Sequence, residues 1–148
     1  MRLTRAGEYG VRCVIFLSYC GMDRIVNRKE IARVMGIPDP FLSKIAQQLA
    51  RAGIIEIVQG ARGGYRLLIS PEELTLLNVV EAVIGEIYLN DCVLRPESCE
   101  RSTACSVHRI WEEARDQLRS ILNRHTFAQI LADESCVADI LKNTRLKI

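Results

Sequence analysis

The sequence has few aromatic residues and no long apolar run. Aromatic side chains make up 5% of the 148 residues, and only one is tryptophan. Proteins that bind single-stranded nucleic acids stack the bases on aromatic side chains, so this composition argues against that class. No segment approaches the roughly 20 apolar residues of a transmembrane helix. The first twenty residues place arginines ahead of a short apolar stretch, as a secretory signal does. They include Glu8, however, and no cleavage site follows, so we do not interpret them as a secretory signal.

The residue patterns of common enzymes are also missing. There is no serine nucleophile elbow, no pair of carboxylates tied to a cleft and no phosphate-binding fingerprint. Cys105 and His108 could act as nucleophile and base, but their place in a cysteine-rich segment favours metal ligation. We therefore predict a cytoplasmic protein with no membrane partner, no enzymatic activity and no small-molecule substrate. In that compartment its six cysteines stay reduced, and clustered thiols more often bind metal or sense redox state.

The chain does contain a basic segment. The formal net charge is only +2, yet residues 24–66 hold eight Arg or Lys and three acids, which leaves +5 there and −3 elsewhere. Basic charge concentrated in one part of a chain indicates a surface that meets a polyanion. The 49% of apolar residues can supply a core for one domain, or for a small head with an oligomerising segment.

Capping residues predict two helices before residue 37. Thr4 can cap a first helix that runs to about Tyr19. Asn27 precedes Glu30 at the interval of a capping box and predicts a second, short helix that ends at Gly36. A third helix directly after Gly36 would complete a helix-turn-helix arrangement.

The third helix is the candidate for contacting DNA. Asp39 as N-cap and Pro40 in the first turn predict a helix that runs to about Ala52. One side of this helix is apolar, whereas the other carries side chains that can donate to phosphates and base edges. The N-terminal part of such a helix usually enters the major groove. The candidate contacts are Ser43, Lys44, Gln47 and Arg51, together with Arg28 at the start of the second helix.

A glycine-rich hairpin is predicted after the three helices, with strands over 54–58 and 65–69. Such a hairpin can act as a wing, because its tip brings backbone close to phosphates and a cation to the minor groove. We count Arg62, Gly63 and Tyr65 as candidate DNA contacts. A tight hairpin with solvated arginines stays the alternative. A nucleotide-binding loop is disfavoured, because no helix starts after the loop and the loop holds no lysine.

Three cysteines and a histidine lie within seventeen residues of the second half, at Cys92, Cys99, Cys105 and His108. Thiolates and imidazole are ligands of iron-sulfur clusters and of zinc. Ordinary thiols, or a disulfide that forms reversibly on oxidation, remain the alternative. The other cysteines carry no predicted role as ligands: Cys13 and Cys20 are expected to be small buried hydrophobes, and Cys136 is left without a role.

An apolar stripe follows the cysteines. Residues 72–85 predict one helix, and a second, amphipathic helix is predicted from about Cys105 to Arg124. Its stripe is too wide to leave in water. The stripe consists of Val107, Ile110, Trp111, Ala114, Leu118, Ile121 and Leu122. A single tryptophan in such a stripe is typical of a helix interface, and less so of a platform for stacking bases.

In this order, the segments resemble the Rrf-type bacterial winged-helix transcription regulators, the family of IscR and NsrR. The resemblance covers about residues 1–130 and is carried by MRLTRAGEYGVR, IPDPFLSKIAQQLARAGIIE, QGARGGYRL and the later cysteine group. It implies a mainly α fold with a small β-hairpin wing, that is, a winged helix-turn-helix plus a long dimerisation helix. It also implies a homodimer that represses or activates promoters by binding double-stranded DNA operators, and that senses iron-sulfur status, redox state or nitric oxide.

The resemblance further implies an iron-sulfur cluster on Cys92, Cys99 and Cys105. His108 is similar to the histidine ligand of the 2Fe-2S cluster in IscR, whereas Glu8 is similar to an acidic residue that reaches the partner's cluster in NsrR-like relatives. The 2Fe-2S form is favoured over the 4Fe-4S form, and zinc accepts the same ligands. The chain departs from IscR by one extra residue between the first two cysteines. A cluster-independent thiol or zinc regulator, and a small electron-transfer protein, are the alternatives.

The predicted organisation has five parts. They are a winged helix-turn-helix head over 1–70, a connecting helix over 71–90, a cysteine-rich loop over 91–108, a dimerisation helix with a following short helix over 105–133, and a tail over 134–148.

Overall fold

The structure, a computed structural model, describes residues 4–145, so the outermost residues of the predicted head and tail, 1–3 and 146–148, lie outside it. The described chain is mainly helical with one two-stranded antiparallel hairpin. Its elements are α1 (Arg5–Cys20), α2 (Arg28–Met35), α3 (Asp39–Arg51), β1 (Ile55–Val58), β2 (Gly64–Leu67), α4 (Leu76–Ile84), α5 (Asp91–Leu94), a 3₁₀ turn (Pro96–Ser98), α6 (Ser106–Arg124), α7 (Phe127–Leu131) and α8 (Glu134–Arg145).

The first two helices begin at the predicted caps. The Thr4 hydroxyl accepts from the first-turn backbone of α1 at 3.3 Å, and the Asn27 side chain accepts from that of α2 at 2.9 Å. Gly36 ends α2 in the left-handed region, with φ of 62°. The capping box predicted for Glu30 is wrong. Its carboxylate instead pairs with Arg24, at 3.0 Å, because that arginine lies within reach before the helix starts.

The N-cap of α3 is Pro38, so the prediction of Asp39 as N-cap is wrong. The Pro38 carbonyl oxygen accepts from the backbone N–H of Phe41 and of Leu42, at 3.0 and 3.1 Å, and Asp39 is the first helical residue. The Asp39 carboxylate is engaged elsewhere, because it pairs with Arg28 of α2 at 3.1 Å. An acid in the first turn still interacts favourably with the helix dipole.

The hairpin is docked against the start of α2. β1 and β2 pair in antiparallel register from Ile55 opposite Leu67 to Val58 opposite Gly64. Val26 and Tyr65 exchange two backbone hydrogen bonds, each of 2.9 Å. A Cβ atom at Gly64 would lie 2.1 Å from the Val26 carbonyl oxygen, so only glycine permits this approach. The hairpin is therefore held close to the helix-turn-helix.

One core holds the head together. It is formed by the apolar sides of α1, α2, α3, the hairpin and α4, and it also receives Phe127 of α7 and Ile140 of α8. α1 lies at the centre and packs against α3, α4 and α7. Ile140 is 1% exposed, and the Arg33 guanidinium of α2 donates to the Asn143 carbonyl oxygen of α8 at 3.0 Å. Residues 134–145, to which the sequence analysis assigned no element, thus form a helix on the helix-turn-helix.

α4 lies between the head and α6. It begins at Leu76, later than the predicted residue 72, because Thr75 and Asn78 form a reciprocal capping box and residues 71–73 form a turn. One side of α4 contributes to the head core. The other side, together with Ile87 after the helix, forms a smaller apolar cluster that includes Leu77 and Val80 and is packed by Leu118 and Leu122 of α6. α4 therefore contacts both the core of the head and α6.

Candidate functional site

A cleft of about 350 Å³ lies between the start of α2, the exposed side of α3 and the hairpin. Five of the eight predicted DNA contacts line it: Arg28, Ser43, Gln47, Gly63 and Tyr65. Asn27, Lys29 and the wing backbone complete the walls. The cleft thus collects donors from three elements that are far apart in sequence, and a polyanion backbone could lie in it.

Three predicted contacts lie outside the cleft lining. Lys44 is exposed on α3 and borders a separate groove with Phe41 and Gln48. Arg51 is exposed at the end of α3, and Arg62 is exposed at the hairpin tip. These cations extend the surface beyond the cleft on α3 and on the wing, where long side chains can reach phosphates.

A polar network joins two residues of the cleft, Arg28 and Ser43, to Asp39 beside it. Arg28 Nη1 donates to Ser43 Oγ at 2.9 Å, while its Nε lies 3.1 Å from Asp39 Oδ1. The Ser43 hydroxyl donates to the Asp39 backbone carbonyl at 3.3 Å. Burial raises the pKa of the neighbouring Tyr65 hydroxyl, which therefore stays protonated at neutral pH. Asp39 was not predicted as a member of this surface, because its position before a proline indicated only a helix cap.

The cysteine-rich loop brings two predicted ligands together. His108, 8% exposed in the first turn of α6, has its Nδ1 3.4 Å from Cys92 Sγ of α5. Its other ring nitrogen, Nε2, lies 3.3 Å from Glu112 Oε1, one turn further along α6. A carboxylate in this position orients the imidazole. Glu112 was not recognised from the sequence, although its spacing of four residues from His108 was the available signal.

The other two cysteines are not joined to that pair. Cys105 is partly buried at the N-cap of α6, and Cys99 is exposed after the 3₁₀ turn. Between them the Ser102 hydroxyl, which is buried, lies 2.7 Å from the Pro96 carbonyl oxygen and 2.9 Å from that of Cys99. Ser102 therefore holds the shape of the loop, a role that no sequence pattern indicated.

The donor chemistry of the loop fits an iron-sulfur cluster or zinc, since three thiols and one imidazole are available. Among residues 4–145, however, no group of three His, Cys, Asp or Glu side chains is already arranged to hold a metal ion. Glu8, the predicted alternative ligand, pairs with Arg12 on the next turn of α1. In the described part of the chain, Cys92 and His108 contact each other, and no third predicted ligand completes a metal-binding group with them.

An apolar stripe on α6 faces solvent. Its exposed fractions are 49% for Val107, 58% for Ile110, 38% for Trp111 and 44% for Ile121. Val107, Ile110 and Trp111 lie three to four residues apart on one helix side, and Ile121 lies on the same side further along the helix, while Leu118 and Leu122 are partly buried against α4. Contiguous exposed apolar surface on a helix marks an interaction site.

Hydrogen bonds join α6, α4 and α3 in sequence. Arg119 of α6 makes a bidentate contact with Glu81 of α4, at 2.8 and 3.1 Å. The same carboxylate accepts from the backbone N–H of Ile87 at 3.0 Å, just before the cysteine-rich loop. Gln48 of α3 then donates to the Val83 carbonyl oxygen at the end of α4, at 2.9 Å.

Comparison with known proteins places this arrangement in one family. The family model described as "Rrf2: Iron-dependent Transcriptional regulator" matches residues 3–133. The regulator NsrR of Geobacillus kaustophilus is 30% identical over 98% of this chain and 99% of its own. The structure of T. potens IscR matches with a TM-score of 0.70 and 25% identity, over 90% of this chain and 88% of that one.

The cysteine regulator CymR of B. subtilis has the same fold, with a TM-score of 0.70 and 23% identity, over 89% of this chain and 97% of that one. Among residues 4–145, no helix combines the length and the apolar character that a membrane span requires. The relatives are transcriptional regulators and not enzymes, and the helix-turn-helix with its docked hairpin has the architecture of a winged DNA-binding head. The chain is a member of the Rrf2 family of transcriptional regulators, of the IscR and NsrR type.

Proposed function

We propose that the chain is a cytoplasmic homodimer that binds operator DNA in a sequence-specific manner and senses iron-sulfur status, redox state or nitric oxide. The contact between Cys92 and His108 at the start of α6 carries this proposal. It joins a soft ligand of α5 to a borderline ligand of α6, the helix that also bears the exposed apolar stripe and the contacts to α4.

The proposed DNA contacts are the cleft residues together with the cations beside it. α3 would enter the major groove with Ser43 and Gln47 near base edges, while Lys44 and Arg51 meet the backbone. Arg62 at the wing tip would reach the minor groove. Gly63 supports this role of the wing, since a Cβ atom there would lie 2.2 Å from the Val58 carbonyl oxygen and the tight tip would open.

The proposed cluster ligands are Cys92, Cys99, Cys105 and His108, with Glu8 of a partner subunit as the alternative fourth ligand. When bound, an iron-sulfur cluster would supply one-electron redox chemistry and reactivity toward nitric oxide. In this chain Cys92 and His108 are already in contact, and Glu112 orients the imidazole. Loading would require Cys99 and Cys105 to approach that pair, so the loop and the start of α6 would have to change shape.

The proposed route from the loop to DNA runs through α4. A shift of α6 would act on the contact between Arg119 and Glu81. A shift of the segment before the cysteine-rich loop would act on the hydrogen bond that the Ile87 N–H donates to the same carboxylate. α4 would pass the movement to α3 through Val83 and Gln48. In a dimer formed by the α6 stripes, such a movement would change the separation of the two heads, to which operator half-sites must be matched.

Metal analysis is the first experiment. Iron, acid-labile sulfide and zinc are measured per chain on protein purified without oxygen. Near two iron and two sulfide supports a 2Fe-2S cluster with His108, whereas near four of each supports a 4Fe-4S cluster with Glu8. Operator affinity is then compared for loaded and cluster-free protein, and equal affinity would remove the proposed coupling.

A regulator that works without a cluster is the second candidate. It is supported by the exposure of Cys99 and by the absence, within the described part of the chain, of three preformed metal ligands. In that case zinc or reversible thiol oxidation would control the loop. Two results together would favour this candidate. Protein purified without oxygen would contain no iron and no sulfide, and it would bind an operator with an affinity that falls on oxidation.

A further inference from the structure

Arg28 stands in the cleft with its guanidinium group already paired. Its Nε lies 3.1 Å from Asp39 Oδ1, and its Nη1 donates to Ser43 Oγ at 2.9 Å. The side chains of Arg28 and Asp39 are 43% and 48% exposed, so their ion pair borders on solvent where an incoming phosphate would arrive. The cation that could serve as a phosphate contact thus has an intramolecular anion beside it.

The pair is weak enough to be exchanged. Exposed ion pairs contribute little and are screened by salt, whereas a guanidinium binds phosphate and carboxylate in the same bidentate manner. A phosphate that captured Arg28 would leave the Asp39 carboxylate uncompensated next to the DNA backbone. The first turn of α3 holds that carboxylate in place, because Asp39 is the first residue of the helix.

We propose that Asp39 competes with DNA phosphates for Arg28, and that this competition sets how strongly the head holds DNA of random sequence. The inference rests on the proposed function, since it requires the cleft to meet DNA. Phosphate contacts carry no sequence information. Withholding one of them therefore leaves a larger share of the binding to the base contacts of α3.

A double-mutant cycle tests the competition. The wild type, Asp39→Asn, Arg28→Gln and the double variant are titrated with a short random-sequence duplex over a series of salt concentrations. Asp39→Asn should tighten binding and steepen the log–log salt slope by about 0.9 for each head that gains one phosphate contact. In the Arg28→Gln background the same substitution should change the slope little, because the competing cation is missing.

Two further variants serve as controls. Glu72→Gln makes the same change in charge at an exposed residue outside the cleft lining, and it should keep the wild-type slope. Asp39→Ser retains an oxygen near the start of α3 without the charge and should reproduce the effect of Asp39→Asn. Thermal unfolding of each protein shows that any difference arises in the folded state.

Each outcome decides a separate point. If Asp39→Asn increased the affinity and the salt slope equally with and without Arg28, the cause would be general repulsion between Asp39 and DNA. That result would overturn the proposed competition. An unchanged slope in Asp39→Asn would do the same. If the wild type and all variants failed to bind any duplex, the proposed function would be wrong as well. If the wild type bound DNA but Asp39→Asn had no effect in either background, only this inference would be wrong.

Discussion

The side-chain amide of Gln48 donates to the backbone carbonyl oxygen of Val83 at 2.9 Å, and so fastens the recognition helix α3 to the end of α4. Val83 is in the last turn of α4, where carbonyl groups have no partner within the helix. Gln48 thus supplies a hydrogen bond that the helix cannot make for itself. The neighbouring Gln47 points into the cleft instead.

The same substitution should affect different properties at these two glutamines, namely stability at Gln48 and DNA binding at Gln47. Gln48→Met keeps the volume but leaves the Val83 carbonyl without its donor, so the free energy of unfolding should fall by about 1–3 kcal/mol. Gln47→Met should change stability by less than about 0.5 kcal/mol and weaken DNA binding. Urea unfolding and DNA titration of both variants check the assignment, and equal stabilities for the two would refute the role of Gln48.

Gly10 should be sensitive to a single methyl group. A Cβ atom at this position of α1 would lie 2.8 Å from Val83 Cγ2, closer than two carbon atoms can approach. Gly10→Ala should therefore destabilise the fold by about 1–3 kcal/mol through overpacking. Val83→Ala makes room for the added methyl, so the double variant should be more stable than the sum of the single effects predicts. Strict additivity in denaturant unfolding would show that the contact is not tight.

Arg62 and Lys44 should contribute to affinity mainly through charge. Both are exposed, one at the wing tip and one on α3. Replacing either by alanine should weaken DNA binding and lower the salt slope by about 0.9 for each head in which that residue meets one phosphate. Arg124, exposed at the end of α6, is the control, since its replacement by alanine should leave the slope unchanged. A variant at 44 or 62 with wild-type affinity and slope would remove that residue from the proposed interface.

The α6 stripe should hold the proposed dimer together. Ile110 is 58% exposed in one chain, and its replacement by glutamine would place an amide in a buried apolar interface. Ile110→Gln should shift sedimentation toward the monomer, whereas Glu113→Gln, an exposed change on the same helix, should not. A wild-type protein that is monomeric at all concentrations would contradict the dimer directly.

Cys13 should behave as a buried apolar residue and not as a reactive thiol. Burial raises its pKa to about 12, so at pH 8 only about one thiol in ten thousand is ionised in the folded protein. Because the thiolate is the nucleophile, an alkylating reagent added at that pH to cluster-free protein should spare Cys13 and label the exposed Cys99 first. Peptide mass spectrometry reads the order of labelling, and early modification of Cys13 in folded protein would contradict its burial.

Local signals allowed much of the head to be predicted. Thr4, Asn27 and Gly36 marked helix ends correctly, because caps act through hydrogen bonds and dihedral angles within a few residues. The glycine-rich loop predicted the hairpin for the same reason. Asp39 shows the limit of such signals, since its carboxylate had an equally good partner in Arg28, eleven residues away, and the cap formed without it.

The sequence by itself determined the helix-turn-helix with its hairpin, the long amphipathic α6 and the set of soft ligands, all of which are local patterns of polarity and capping. Only the tertiary structure decided which residues meet across the fold. It paired Cys92 with His108 and left Cys99 apart, fastened Gln48 to Val83, and placed the helix of residues 134–145 on α2. These relations depend on how separate elements pack against one core, and no spacing within a single segment encodes that packing.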